Sequence, residues 1–436
     1  MSNLQVQEYL TQGAMLETQE KYEEALEYYN KALELDVMNH DAYISKGVAL
    51  ANLENFEEAQ KQFENALKIN RTSGLAYFHL GNIALLKEEM ALGFENYNKA
   101  ISNGFDDAQI YYNIGLLHEE NGEADLALRN YSKAISKNAL RPEIRLRKVQ
   151  LQIFLEQYNE ALQSLDEMIL TNPDVFEGYH TKFIVYMQLG QHDKAEEILE
   201  KAMELFPDDI DFVIDKTTLL IAQGNTEEAF VLLKELEENA EGDPEILYKV
   251  YMERAQIHAS KQEVEPAITE LEKAKAIFTD NGEYDEESQF LLMNCFVAKN
   301  DFQKVLEYSR EFLEKAEEDS QYISTARYYV PLALKNLGQM DEARTLYLEA
   351  IEELRNQSLN SPANLETYLL RALCHHDLDE YEKALNLVDY VIQMKPEFPE
   401  PRFQRIVILE AMGKKEEAQE EKKTVNAMLP PEARIQ

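Results

Sequence analysis

Small and apolar residues recur along this chain on a fixed beat, with polar residues at helical spacing between them. Gly13, Gly47, Gly81 and Gly115 stand 34 apart, and the same register continues through Val149, Phe183 and Thr217. Twelve residues after each lies a second small slot: Ala25, Ala59, Gly93, Ala127, Ala161, Ala195 and Ala229. Tyr9, Tyr43, Tyr77, Tyr111 and Tyr179 hold an aromatic place before the first slot. Tyr29, Phe63, Tyr97 and Tyr131 hold one after the second, softening to Leu165, Leu199 and Leu233. Seven units without an insertion predict stacked supersecondary repeats rather than one globular core.

Within residues 40–73 the spacing predicts helices over 41–52 and 56–69, split by a turn at 53–55. Tyr43, Gly47 and Leu50 share a face of the first; Ala59, Phe63 and Ala66 share one of the second. Gly47 and Ala59 are read as a close approach of two antiparallel backbones, with Tyr43 and Phe63 filling the space around it. One hairpin cannot bury both its apolar faces, so each leans on the next.

Beyond residue 240 the beat stretches. The second small slot returns as Ala267, Val305, Ala343, Ala384 and Ala418, at steps of 38, 38, 38, 41 and 34. The chain is therefore expected to be all-α, with about twelve repeats and about 24 helices. Seven regular repeats fill 1–241, three longer ones 242–364, and two more 365–436. The extra residues fall between hairpins, at 241–244, 278–286, 317–322 and 354–364. Asn356, Ser358, Asn360, Ser361 and Pro362 give the last of these a loop signature. In the final repeat Lys422 takes a slot filled in most other repeats by an aromatic or Leu, amid Glu420, Glu421 and Lys423. A polar last helix is what a solenoid needs where no neighbour follows.

The pattern resembles the tetratricopeptide repeat (TPR), whose consensus has an aromatic, a Leu-Gly pair, a Tyr, an Ala, an aromatic, an Ala and a closing Pro. Leu80-Gly81 keeps the pair, and Pro173, Pro207, Pro396 and Pro430 supply the Pro. The resemblance covers essentially the whole chain. It implies an α-solenoid wound as a right-handed superhelix, and a protein that holds other proteins, without naming the partner.

Composition narrows the setting. The start, MSNLQVQEYL, has no basic segment followed by an apolar one, and no run approaches membrane-spanning length. Two cysteines, Cys295 and Cys374, lie in different repeats, so a disulfide framework is not expected and the cytoplasm is the economical reading. The net charge of −39 repels nucleic acid and anionic lipid. Its first reading is solubility of solvated helix faces; its second is steering of basic partners. Oligomeric state is not legible.

No phosphate loop, nucleophile elbow, metalloprotease helix or metal-spaced Cys pair is present, so neither an enzyme, a cofactor nor a metal is expected. The tightest polar cluster is Cys374-His375-His376-Asp377. His375 sits in the slot three after the Gly position, as do His118 and His258, where other repeats have Leu16, Leu50 and Tyr186. A recurring slot points to half-buried packing rather than a metal site.

The resemblance implies that the first helix of each hairpin lines a concave groove, with the slots three and two before, one after, and four and five after the Gly position facing a ligand. On repeats three to five these include Phe78, His79, Asn82, Tyr112, Asn113, Leu116, Arg147 and Gln150. An Asn carboxamide offers a donor and an acceptor together, which suits a peptide backbone. Chaperone-adaptor TPR domains clamp a C-terminal carboxylate with two Lys, two Asn and an Arg; the corresponding places here are Phe78, Asn82, Asn113, Glu143 and Arg147. Both Lys are missing, which places the strict clamp in doubt. A second candidate groove is an apolar strip in the stretched half carrying Phe290, Asn294, Tyr328, Tyr329 and Leu369. Against it stands burial of the strip in tighter inter-repeat packing.

The leading reading is therefore a non-enzymatic intracellular scaffold that takes a partner peptide or helix in the groove. The other is a peptide-sensing regulator of the bacterial pheromone-receptor type, which the stretched half resembles. Those receptors carry an N-terminal effector module, whereas regular repeats here begin almost at Met1.

Overall fold

A computed structural model describes residues 2–317, 319–360 and 364–429. Twenty-four helices follow one another in antiparallel pairs, with no strand among the described residues. The second pair shows how closely the pattern is obeyed: His40–Asn52 and Phe56–Ile69. Asn39 and Ser73 cap the starts of the first helices of repeats two and three by accepting from Ala42 and Ala76 backbone N–H groups. Pro173, Pro207 and Pro396 lie in the turns that follow second helices, as expected of a residue without an N–H. Pro430 lies outside the described residues, as do Ser361 and Pro362.

The glycine slot admits a ring rather than a backbone. A Cβ on Gly47 would stand 2.5 Å from Phe63 Cε1, and one on Gly13, Gly81 or Gly115 would meet Tyr29, Tyr97 or Tyr131 at 2.4–2.5 Å. The second helix thus lays its aromatic face directly on the first helix, 16 residues upstream. Where that aromatic softens to Leu165, Leu199 or Leu233, the opposing slot holds Val149, Phe183 or Thr217, all buried. Volume is exchanged across the pair, which is what close packing demands.

A second beat joins the first. In every one of the twelve hairpins the residue seven after the Gly slot has a positive φ: Glu20, Glu54, Glu88, Gly122, Glu156, Gly190 and Gly224, then Gln262, Asn300, Gly338, Asp379 and Gly413. This left-handed residue reverses the chain between the two helices. Glycine there is free of the strain that Glu54 accepts at φ 58°.

Packing divides the chain into two compact units, 1–212 and 213–436. The division falls inside the helix Ile210–Ala222, one repeat before the beat stretches at 242. Repeat length and compactness are therefore different divisions of the chain. In the second unit the extra residues at 241–243 and 317–322 lie between helices, as expected, while two second helices are lengthened. The helix Val264–Asn281 ends at Gly282, and Met340–Asn360 has 21 residues. The loop expected at 354–364 is thus helical through Asn360. Leu354 is buried there, and Ser358 donates to its carbonyl at 2.6 Å and meets the Thr367 hydroxyl at 3.2 Å. Satisfied by these partners, a polar segment stays helical.

The final hairpin, Glu400–Ala411 with Lys415–Met428, carries the polar ending the sequence predicts. Lys422 pairs with Glu410, and the buried Glu421 receives both Arg402 and Arg405 at 2.7 Å.

Candidate functional site

The first candidate cluster lies in the first unit, on the first helices Gly74–Leu86, Ala108–Glu120 and Pro142–Phe154. Its two asparagines are joined to each other. Asn113 Nδ2 donates to Asn82 Oδ1 at 3.0 Å and to the Tyr97 hydroxyl at 2.9 Å, while Tyr97 donates to Asn82 Oδ1 at 2.7 Å. Gln109 completes the set by donating to Asn113 Oδ1 at 2.8 Å. Asn113 is only 9% exposed, and its carboxamide is fully engaged. The resemblance assigns both Asn side chains to a ligand; in the structure they link one repeat to the next, and among the described residues Asn82 Nδ2 is the donor left over.

Aromatic and charged groups are committed in the same way. Phe78 packs on Tyr97 and Phe105, and His79 stacks on Phe63 at 4.9 Å. Burial drives the His79 imidazole down to about 4, so it is neutral at physiological pH. Tyr112 rests on the Tyr131 ring, and Leu116 packs partly buried beside them. Arg147 pairs with Glu119 at 2.8 Å, and Glu119 also accepts from Tyr131 at 2.5 Å. An anionic terminus would have to displace Glu119 before reaching this cation, while Glu143 is held by Arg141 at 2.6 Å.

Gln150 alone of the predicted set is exposed. Two residues missed by the named set stand out beside it: Phe154 is 81% exposed and Leu86 59%. With Glu120 they form the row five after the Gly slot, one of those the resemblance turns toward a ligand.

Because Asn113 bridges two repeats, Asn113→Ala should destabilise the first unit by about 1–3 kcal/mol, the usual penalty for stranding buried polar partners. Urea unfolding followed by circular dichroism measures it. An unchanged midpoint would mean that water replaces the carboxamide without loss.

The second candidate groove separates into parts. Phe290 stacks on Tyr322 at 4.2 Å, and Tyr329 donates to Asn294 Oδ1 at 2.6 Å. Tyr328, expected on the same strip, is buried at 7%, its hydroxyl donating to Asp377 at 3.0 Å. An acceptor 49 residues away in sequence turns it inward. Leu369 lines a different pocket of 370 Å³, with Asn364, Phe398 and Pro401.

The histidine slot behaves as packing. His118, His258 and His375 each meet the carboxylate five residues on (Glu123, Glu263, Glu380) at 2.6–2.7 Å. Burial holds the His375 pKa below its ordinary value despite Glu380. Cys374 is fully buried, and burial above all, with Asp377 next, pushes its thiol up to about 12. Among the described residues no group of three or more His, Cys, Asp or Glu is placed to hold a metal ion, and no helix is long and apolar enough to cross a membrane.

Comparison with known proteins agrees with the repeat geometry. Three tetratricopeptide-repeat family models match, over residues 10–59 and 46–108, over 108–137, and over 186–250. No curated protein matches the chain. Among solved structures, a tetratricopeptide repeat protein from Parabacteroides merdae is 20% identical, covering 59% of this chain and 98% of that one, with a TM-score of 0.41. The C-terminal part of a TPR-containing protein from Cytophaga hutchinsonii is 18% identical over 62% and 95%, with a TM-score of 0.41. YrrB, described as a TPR protein with an unusual peptide-binding site, is 22% identical over 43% and 97%, with a TM-score of 0.35. With twelve hairpins on a common beat and three matching models, the chain is a tetratricopeptide-repeat protein.

Proposed function

We propose that the chain is a non-enzymatic interaction protein that holds a peptide or helix of another protein against the first helices of repeats three to five. The observation that carries this reading is the row Leu86, Glu120, Phe154. Two large apolar side chains stand in water on either side of an exposed carboxylate, which has no ion-pair partner among the described residues. Packing within the protein does not require an aromatic ring at 81% exposure, and exposed apolar groups beside polar ones mark interaction surfaces.

The row also describes its complement. A segment with two apolar side chains and a basic one between them would match it, and the acidity of the chain favours such a partner on approach. Asn82 Nδ2 and the Gln150 amide lie on the same helices and supply hydrogen bonds for a backbone. Arg147 contributes little to an anion, since Glu119 neutralises it.

Panning a random peptide library on the full chain tests the reading. Peptides enriched on the wild type should bind the Phe154→Glu and Leu86→Glu variants at least about tenfold more weakly, the scale of one interface anchor. Equal binding to both variants would place the contact surface elsewhere.

A further inference from the structure

Within the second unit, the hairpin Pro244–Ser260 and Val264–Asn281 leaves a pocket of 550 Å³ beside the next first helix, Glu286–Lys299. Its walls are small: Ala255, Ala259, Ala267 and Ala298. Leu271 and Leu291 add apolar surface from the two neighbouring helices. The second helix of this hairpin has 18 residues where those of the regular repeats have about 14, so the chain travels one turn further before the next hairpin begins. Alanines do not fill the space between. The volume falls within the range of sites that enclose a ligand group, roughly 300–1,000 Å³.

The rim is made of amides, not charges. Gln256, Gln262 and Asn294 line it, and no Lys, Arg, Asp or Glu does, in a chain with 82 acidic and 43 basic residues. Asn294 is also held in place. Tyr329 donates to its Oδ1 at 2.6 Å, and burial pushes that phenol up to about 12, so it remains a donor at any working pH. With the oxygen committed, the carboxamide presents its Nδ2 hydrogens elsewhere. Among the described residues no hydrogen bond engages that nitrogen, nor the side-chain amides of Gln256 and Gln262.

From this we infer that the pocket seats an uncharged apolar side chain of leucine, methionine or phenylalanine size, carried on a partner peptide whose backbone carbonyl accepts from Asn294. A charged side chain would lose its hydration here without meeting a counter-charge. A carboxamide provides donor and acceptor side by side, as the peptide bond does, so amides around an apolar hole suit a residue flanked by peptide bonds. Gln256 and Asn294 each follow the first small slot by one residue, the same place that Asn82 holds in the first unit. The inference rests on the reading that first-helix faces take a partner chain, and it assigns to the second unit the kind of residue taken.

Cys295 lines the pocket and reports on it. Burial raises both thiols, but Cys374 is fully enclosed with a thiol at about 12 whereas Cys295 is half-buried at the pocket wall, so N-ethylmaleimide modifies Cys295 first, slowly at neutral pH. N-acetyl-leucinamide and N-acetyl-phenylalaninamide, at tens of millimolar, should slow that modification of the full chain saturably and by about threefold or more. N-acetyl-lysinamide and N-acetyl-glutamic acid amide should not. Ala259→Leu fills the pocket and should abolish protection; Ala298→Leu, on its exposed edge, repeats the test should the first variant lose its helical content. Asn294→Ala should weaken protection while leaving Cys295 reactive. Equal protection by all four amides, protection by none, or full protection in the filled variants would overturn the assignment. No partner enters this experiment, so its failure leaves the Leu86–Phe154 reading intact, and failure of the peptide panning leaves the pocket to be judged here.

Discussion

Gly47→Val is expected to destabilise the first unit by about 1–3 kcal/mol or more, the range for overpacking a filled core. Its Cβ alone would stand 2.5 Å from Cε1, 2.8 Å from Cζ and 2.9 Å from Cδ1 of Phe63. Phe63 cannot swing away freely, because its other side stacks on His79. Adding Phe63→Leu should recover much of the loss, since Val149 over Leu165 is a pair this chain already uses, with both side chains buried. The double-mutant cycle should therefore show a coupling of about 1–2 kcal/mol. Urea midpoints followed by circular dichroism supply the energies, and hydrogen exchange locates the damage, which should stay within repeats two and three and their neighbours. Strictly additive effects would show that glycine and ring are not one packing unit.

The same pair shows what the sequence makes legible. The beat of 34 and its later stretch set the number of hairpins, and the slots at Gly47 and Ala59 lie where the two helices meet. What the glycine accommodates was less plain, because ring-over-glycine packing appears only when each slot is compared with the residue 16 further on. Once compared, Gly115 with Tyr131 and Thr217 with Leu233 follow one rule. The left-handed turn residue escaped notice because Glu54 and Gln262 are not turn formers; position, rather than residue type, imposes their backbone. At 354–360 composition misled for the opposite reason. Asn356, Ser358 and Asn360 look like a loop, yet Ser358 finds partners in Leu354 and Thr367 and the helix continues.

The site was legible as positions but not as availability. Spacing put Asn82 and Asn113 in adjacent rows, and they do approach each other. It did not show that Tyr97, on a different helix, would join them and consume the carboxamide of Asn113. Nor did it show that Glu119 would neutralise Arg147. Whether a groove residue is free depends on its neighbours in the next repeat. Phe154, Leu86 and Gln150 are left by that competition, and they carry the proposed contact surface.

Asp377 shows the competition at its strongest and carries the largest expected effect in the second unit. In sequence it belongs to the polar cluster Cys374-His375-His376-Asp377, and in the structure it is a junction. Tyr328 and Tyr347 donate to its Oδ2 at 3.0 and 2.9 Å, and Lys335 meets its Oδ1 at 3.1 Å and its backbone carbonyl at 2.9 Å. Burial opposes the charge, but the hydrogen bonds from His376, Tyr347 and Lys335, with the Lys335 ammonium, outweigh it and hold the carboxyl below its usual pKa. A depressed pKa means that folding favours the ionised form. That stability is present above the unfolded value near 3.8 and is lost as the pH falls through the lower folded value. Asp377→Asn keeps the shape while leaving Lys335 without its counter-charge, and should cost about 3 kcal/mol at neutral pH, the scale for breaking a largely buried pair. The deficit should hold down to about pH 4 and shrink below it, as the wild type loses the same charge. Hydrogen exchange in 323–377, measured on both proteins at neutral pH and in acid, reads it locally. A deficit that stayed constant into acid would assign the loss to packing around the amide rather than to the charge of Asp377.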